Sequence, residues 1–252
     1  MILLDIEGTT TPIAFVTQTL FPYARAHLRS YLDRHGSSAQ YLALIAAFRR
    51  EHAADEQAGE PVLPWPAPGA EPGRETGPER GNDARHAVQA YAEWLMDRDR
   101  KSPALKELQG YIWEEGYQNG ELVGQVYEDV PRAFARWRRE KVRLGIFSSG
   151  AVLAQRWLFR SSSAGDLSSF LHWYFDTHTG SKQDPESYRR IAAEVGELPP
   201  DILFVSDVVG ELNAARDAGL GTVMTVRPGN LPQPPHDHRV VSSFAEITAS
   251  ST

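Results

Sequence analysis

Two acids, Asp5 and Glu7, close the apolar run Met1-Ile2-Leu3-Leu4 and are followed at once by Gly8. Strand side chains alternate, so positions 5 and 7 lie on one side, where the glycine lets the backbone turn away. Three later apolar runs also end in polar groups: Ser148-Ser149-Gly150, then Lys182 within Gly180-Ser181-Lys182-Gln183-Asp184, then Ser206-Asp207 with Glu211 one helical turn on. Phosphoryl transfer needs a nucleophile, a cation against the moving charge, donors for its oxygens and an acid for the leaving oxygen. Asp5 can serve as a carboxylate nucleophile that forms an aspartyl-phosphate. A hard Mg²⁺ ion suits oxygen ligands from Asp5, Asp207 and the main-chain carbonyl of Glu7. Ser148, with the amides after it at a helix N-terminus, can hold phosphoryl oxygens, and Lys182 supplies a fixed positive charge. Glu7 is left for proton transfer.

Each residue also has a plainer reading when taken singly. Asp5 is a routine turn former, Ser148 and Ser149 are good helix caps, Lys182 could be a solvated lysine and Asp207 another cap. Glu211 in a first helical turn fits the helix dipole without any metal. The joint pattern, with suitable groups at consecutive strand ends, favours a phosphate site.

The elements that must hold these groups follow from periodicity. Apolar residues at helical spacing predict helices over 15–35, 41–52, 84–98 and 104–115, the last launched by Ser102 as N-cap and Pro103. Between the second and third lies the stretch 59–81, with 6 Pro and 5 Gly among 23 residues. It is read as a surface excursion and not a regular element. From Val130 strands and helices alternate: strands at 142–147, 173–175, 202–205 and a last one at 222–226, helices at 151–159, 185–195 and 211–218. That rhythm predicts an α/β fold, a doubly wound parallel sheet core from 1–15 and 130–252, interrupted by an inserted helical domain at 16–129.

Composition narrows the class. The 252 residues carry a net charge of −7 and a pI near 5.6, which argues against a nucleic-acid surface. The short basic run Arg136-Trp137-Arg138-Arg139 is read as a solvated helix face. With no cysteine, thiolate nucleophiles and Cys-ligated zinc are excluded. No apolar stretch nears the roughly 20 residues that span a bilayer, and Asp5 and Glu7 break any signal sequence. A soluble, cytoplasmic monomer without membrane partners is expected.

The sequence resembles the haloacid dehalogenase superfamily of phosphatases, and within it the enolase-phosphatases of methionine salvage. The resemblance lies in DIEGTTTPIAFV at 5–16, KSPALKELQGYIWEEGY at 101–117, GELVGQVYEDVP at 120–131, IFSSGAVLAQRWLF at 146–159, YFDTHTGSKQDPESY at 174–188 and FVSDVVGELNAARDAG at 204–219. The superfamily usually has a second Asp where Glu7 stands, and Glu is what the enolase-phosphatases have. The resemblance implies one Mg²⁺ per chain and a small phosphorylated diketone as substrate, 2,3-diketo-5-methylthiopentyl-1-phosphate, which is enolised and then dephosphorylated. It implies that Asp5, Glu7 and Asp207 are the metal and catalytic positions and that Ser148, Ser149 and Lys182 contact substrate, with Glu211 one layer behind. It also implies that the helical insertion is a cap, whose segment 111–117 either lines the pocket or, at Ile112 and Trp113, fills the cap's own core. The rivals are a phosphatase of the same superfamily for another small phosphoester, and a receiver-like phospho-accepting signalling module. A receiver carries its acidic pair early and its phosphorylated Asp on a later strand, which is not the order here.

Overall fold

The computed structural model describes residues 1–36, 38–65 and 78–248. Along the chain, β1 (Ile2–Leu4) leads through α1 (Ile13–Phe15) and a π-helical turn (Val16–Leu20) into α2 (Phe21–His35), α3 (Ala39–Gln57), α4 (Pro78–Asp97) and α5 (Pro103–Gln118). Then come α6 (Asp129–Arg139), β2 (Leu144–Phe147), α7 (Val152–Arg160), β3 (Leu171–Phe175), α8 (Pro185–Val195), β4 (Leu203–Ser206), α9 (Val209–Asp217), β5 (Gly221–Thr225) and β6 (Arg239–Val241). They divide into two compact units, Met1–Leu20 with Glu114–Thr252, and Phe21–Trp113.

In the first unit Ile2, Leu3 and Leu4 are apolar on both faces and fully buried, as a central parallel strand covered by helices requires. The six strands run parallel in the order β3-β2-β1-β4-β5-β6. Strand order reverses at β1, so the crevice beyond the carboxyl ends of β1 and β4 is the place where such sheets bind ligands. Leu4 pairs with Ile146 and with Val205, which brings the ends of β1, β2 and β4 level. On one face Leu3, Phe147, Phe204 and Met224 pack against Tyr188, Ile191 and Val195 of α8 and Leu212 and Ala215 of α9. Each large side chain so buried contributes about 1.5–3 kcal/mol. Local signals set α8 as firmly as packing does. The Asp184 side chain accepts from Glu186 N, Pro185 begins the helix, and Gly196 closes it at φ 69°.

The second unit is helical, as its periodicity predicts. Leu28 and Tyr31, Leu44 and Phe48, Val88 and Tyr91, and Leu105, Leu108 and Ile112 are buried. Ile112 and Trp113 both lie inside, Trp113 with its ring 6.1 Å from that of Phe21. Ser102 accepts Leu105 N and donates to Glu51, which also accepts Ala104 N, so α5 starts at a satisfied cap.

Five expectations need correcting. The helix expected over 15–35 is interrupted by the π turn before α2. The third helix begins at Pro78, inside the Pro/Gly-rich stretch, because proline is well tolerated in a first turn. That stretch is also no excursion where it starts: His52 Nε2 meets Leu63 O at 2.7 Å, Trp94 Nε1 donates to Pro61 O, and Trp65 packs edge-on to His52 and Tyr91. Its residues 66–77 lie outside the described residues. The strand at 221–225 is not the last; β6 follows it, too short and too exposed at Arg239 and Val240 to show alternation. Finally, the basic run on α6 is not all solvated. Arg136 donates to Phe244 O and Ile247 O at 2.8 and 2.6 Å, while Trp137 is buried against Phe244.

Asp129 ties the C-terminal turn to this sheet. Its Oδ2 accepts from Arg227 Nη1, Ser243 Oγ and Phe244 N at 2.9, 2.9 and 2.6 Å. The Arg227 guanidinium lies between the rings of Tyr127 and Phe244, 4.7 Å from each. Burial alone would raise the Asp129 carboxyl, but the Phe244 amide and the Arg227 charge reverse that and hold it below its ordinary value. Its stabilisation is therefore present above the unfolded carboxyl pKa and is lost as pH falls through the lowered one. Asp129→Ala should cost about 2–4 kcal/mol in urea unfolding, because it leaves Arg227 charged and unpaired. A cost below about 0.5 kcal/mol would contradict this reading.

Candidate active site

Asp5 follows β1, and its amide stays in the ladder by donating to Val205 O at 3.0 Å. The turn after it is closed by the amides of Thr9, Thr10 and Thr11 on Ile6 O, and Thr10 Oγ1 donates to Asp5 O. Gly8 sits in this turn at φ 72°, and a β-carbon there would fall 2.6 Å from the Asp207 carboxylate carbon. Only glycine allows the turn and the acid to approach so closely.

The centre of the site is Lys182. Its Nζ donates to Asp5 Oδ1 at 2.5 Å and lies 2.6 Å from Glu211 Oε2, and its side chain is 10% exposed. Burial pulls its ammonium down, but the charges of Asp5 and Glu211 outweigh that and raise it above an ordinary lysine. Glu211 Oε2 also accepts Ser206 Oγ at 2.8 Å, and Ser206 Oγ accepts Val208 N. The Lys182 backbone is held by Tyr188 OH, which donates to its carbonyl at 2.7 Å. Lys182 is thus a buried cation and not a solvated one, and Glu211 is its direct partner.

Asp207 is buried beside this pair and caps no helix; the residue before α9 is Val208. Burial, reinforced by the negative charge of Asp5, pushes its carboxyl up to about 7, with Glu7 adding to the rise. Glu211 is pushed up to about 7 as well, by burial first and then by Asp5. Glu7 is half-buried and bridges to Thr11 in the turn.

Ser148 is buried at the end of β2, with Ser149 exposed beside it. Ser148 Oγ accepts Gly150 N at 3.1 Å, a local turn bond and not a cap on α7, whose N-cap is Ala151. Two residues that the sequence reading did not single out hold this loop. Gln155 Nε2 donates to Gly150 O and to Phe175 O at 2.7 and 2.9 Å. Asp176 accepts Val152 N through Oδ2 and His178 N through Oδ1. Asp176 directly follows β3, so the rule that found Asp5 and Asp207 at strand ends applies to it equally. Gln155 gives no such signal, being one polar residue in the first turns of an amphipathic helix.

A family model for haloacid dehalogenase-like hydrolases matches residues 1–219. The chain belongs to that family. This haloacid dehalogenase-like hydrolase is 45% identical to the enolase-phosphatase E1 of Synechococcus elongatus over 98% of its own length and 96% of the relative's. It is 42% identical to a Populus trichocarpa protein named as a probable bifunctional methylthioribulose-1-phosphate dehydratase/enolase-phosphatase E1, matching 98% of this chain and 46% of that one. Among solved structures the UTR4 protein of Saccharomyces cerevisiae superposes with a TM-score of 0.73 at 31% identity, covering 98% and 99% of the two chains. Membership in this hydrolase family sets aside the receiver-like alternative.

Phosphatases of the family generally use Mg²⁺. The residues here fit such an ion: the donors are all hard oxygens, and among the described residues Asp5, Asp207 and Glu211 gather around one cation, Lys182, so that negative charge exceeds positive there. Asn230, which donates to Gly8 O, also has its buried Oδ1 unpaired beside the turn. Among the described residues no group of three His, Asp or Glu side chains is placed to hold a metal ion, so the fit rests on two carboxylates and a main-chain carbonyl.

Two outcomes follow. In metal-free protein Asp207 and Glu211 hold protons up to about pH 7, whereas unfolded carboxyls release theirs near pH 4. Their contribution is present below the unfolded value and lost as pH rises through the folded one, so the melting temperature in chelator should fall from about pH 5.5 to about pH 8. The gain on adding Mg²⁺ should be larger at the higher pH; an equal gain at both would contradict the charge argument. Gln155→Leu should lower kcat/KM for hydrolysis of a simple phosphate ester about tenfold by loosening the Ser148 loop, and unchanged kinetics would show that the loop does not depend on it.

Proposed function

We propose that this hydrolase is an enolase-phosphatase that acts in methionine salvage. It converts 2,3-diketo-5-methylthiopentyl-1-phosphate to its enol and then to 1,2-dihydroxy-3-keto-5-methylthiopentene with release of phosphate. The observation that carries this reading is the pairing of Asp5, oriented by the buried Lys182, with a glutamate at position 7 in the same turn. The names borne by relatives that match nearly the whole chain support the choice of substrate.

In the first stage Glu7 takes a proton from the carbon that bears the phosphate ester and keeps it, while the neighbouring carbonyl oxygen takes a proton from solvent and becomes the enol hydroxyl. The half-buried position of Glu7 and the reach of its extra methylene suit work on both carbon and oxygen. In the second stage an Asp5 carboxylate oxygen attacks phosphorus, the bond from phosphorus to the enol oxygen breaks, and Glu7 returns its proton to that leaving oxygen. Water then attacks the aspartyl-phosphate; Glu7 takes its proton, the bond from Asp5 to phosphorus breaks, and the carboxylate is restored. Lys182 holds and aims the Asp5 carboxylate through their ion pair, and Ser148 and Ser149 bind the phosphoryl oxygens. Asp5, Asp207 and the Glu7 carbonyl would hold Mg²⁺. Bound there, it would offset the charge of an anion attacking an anion. All of these groups come from one chain, so the reading requires no second copy.

Supplying the diketo phosphate ester with Mg²⁺, and following enol absorbance and phosphate release together, tests this. Wild type should give both signals. Asp5→Asn should lose phosphate release by at least about 10³-fold, and Glu7→Gln should impair both stages. Phosphate release without any enol from wild type would reduce the protein to a phosphatase of another small ester.

A further inference from the structure

A cleft of about 180 Å³ opens at the amino ends of β2 and β3, the opposite edge of the sheet from Asp5 and Asp207. Arg138, Lys141, Arg143, His172, Leu144 and Phe170 wall it, and no carboxylate does. Arg143 is paired with Glu197 and lies over the Trp173 ring. Arg138 lies over the Phe170 ring at 5.2 Å, and neither Arg138 nor Lys141 has a carboxylate partner among the described residues. His172 Nδ1 takes the Leu144 amide at 3.4 Å, which places the proton of the neutral ring on Nε2. In a chain of net charge −7 this is a concentrated surplus of positive charge and of hydrogen-bond donors.

The conformation of Lys141 adds a second observation. It stands just past the end of α6 at φ 59°, with Val142 N closing on Trp137 O at 2.8 Å. That left-handed position favours glycine. A cation beside the negative end of the helix dipole is helpful, but Arg136, Arg138 and Arg139 already occupy the last turn. Capping therefore does not account for a lysine here.

We infer that this cleft binds a small phosphate-bearing anion, whose oxygens are taken by Arg138 and Lys141 and whose short carbon portion lies against Phe170 and Val142. Separate Arg and Lys donors lining one cleft suit a dianion with several oxygens better than a single carboxylate. The volume is below the roughly 300 Å³ at which pockets for larger ligands begin, so a nucleotide is too big.

Inorganic phosphate is the probe, titrated into the full-length protein with amide resonances followed by NMR, and acetate is the control. Phosphate should move Leu144, Gly145 and His172 independently of Mg²⁺, while any binding at the strand-end site moves Ser149 and Lys182, so the two are read apart. Arg138→Gln with Lys141→Gln should weaken the first set of shifts about tenfold or more and leave the second unchanged. Lys141→Gly should raise the thermal midpoint, by relieving the backbone, yet weaken phosphate at Leu144 and His172. The inference fails if phosphate does not move those amides, if acetate moves them equally well, or if Lys141→Gly stabilises without loss of binding. None of these failures would touch the phosphatase reading, which depends on Asp5 and Glu7.

Discussion

The fold is arranged around one buried ammonium. Lys182 bridges Asp5, at the end of the central strand, to Glu211, in the first turn of α9. A lysine so shielded from water stays charged only where carboxylates surround it. Three distant parts of the chain must therefore meet: the N-terminal strand, the loop that leads into α8, and the β4–α9 junction. The parallel register of β1 with β4 brings the first and third together. Tyr188, buried among Phe147 and Phe204, brings the second by holding the Lys182 carbonyl. Apolar packing on that face of the sheet thus sets the position of the charge.

One cation is not enough for the acids gathered around it. Asp207 and Glu211 are both pushed up to about 7, by burial first and then by the negative charge of Asp5, which Lys182 only partly offsets. That imbalance links structure to chemistry, because a site with excess hard-oxygen charge is ready for a divalent ion and then for a dianionic phosphate. The Gly8 turn tightens the same link by letting the backbone lie against Asp207. Glu7 stands at the edge of this arrangement, half-buried, where an acid can exchange protons.

Much of this was legible in the sequence where a local rule applied. Helix α8 agrees at both ends because Asp184, Pro185 and Gly196 are strong punctuation. Asp5, Lys182 and Asp207 could be placed together because parallel strands deliver their carboxyl ends to one edge, a regularity that needs no knowledge of side-chain contacts. Where long-range contact decides, the sequence was silent. Nothing local shows that Arg136 turns toward Phe244 and Ile247, that Trp65 packs onto His52, or that Gln155 ties a loop to β3. Strand β6 has three residues with one buried, which is too little for a period to be seen.

The central claim is that Asp5 is the nucleophile that Lys182 prepares. The most direct test is a single turnover of the diketo phosphate with excess enzyme and Mg²⁺, quenched in acid at early times and analysed by peptide mass. The account predicts that the peptide containing Asp5 transiently becomes one phosphoryl group heavier before free phosphate appears. Phosphate release at full rate with that peptide never modified would contradict it, and would mean that water attacks the ester directly.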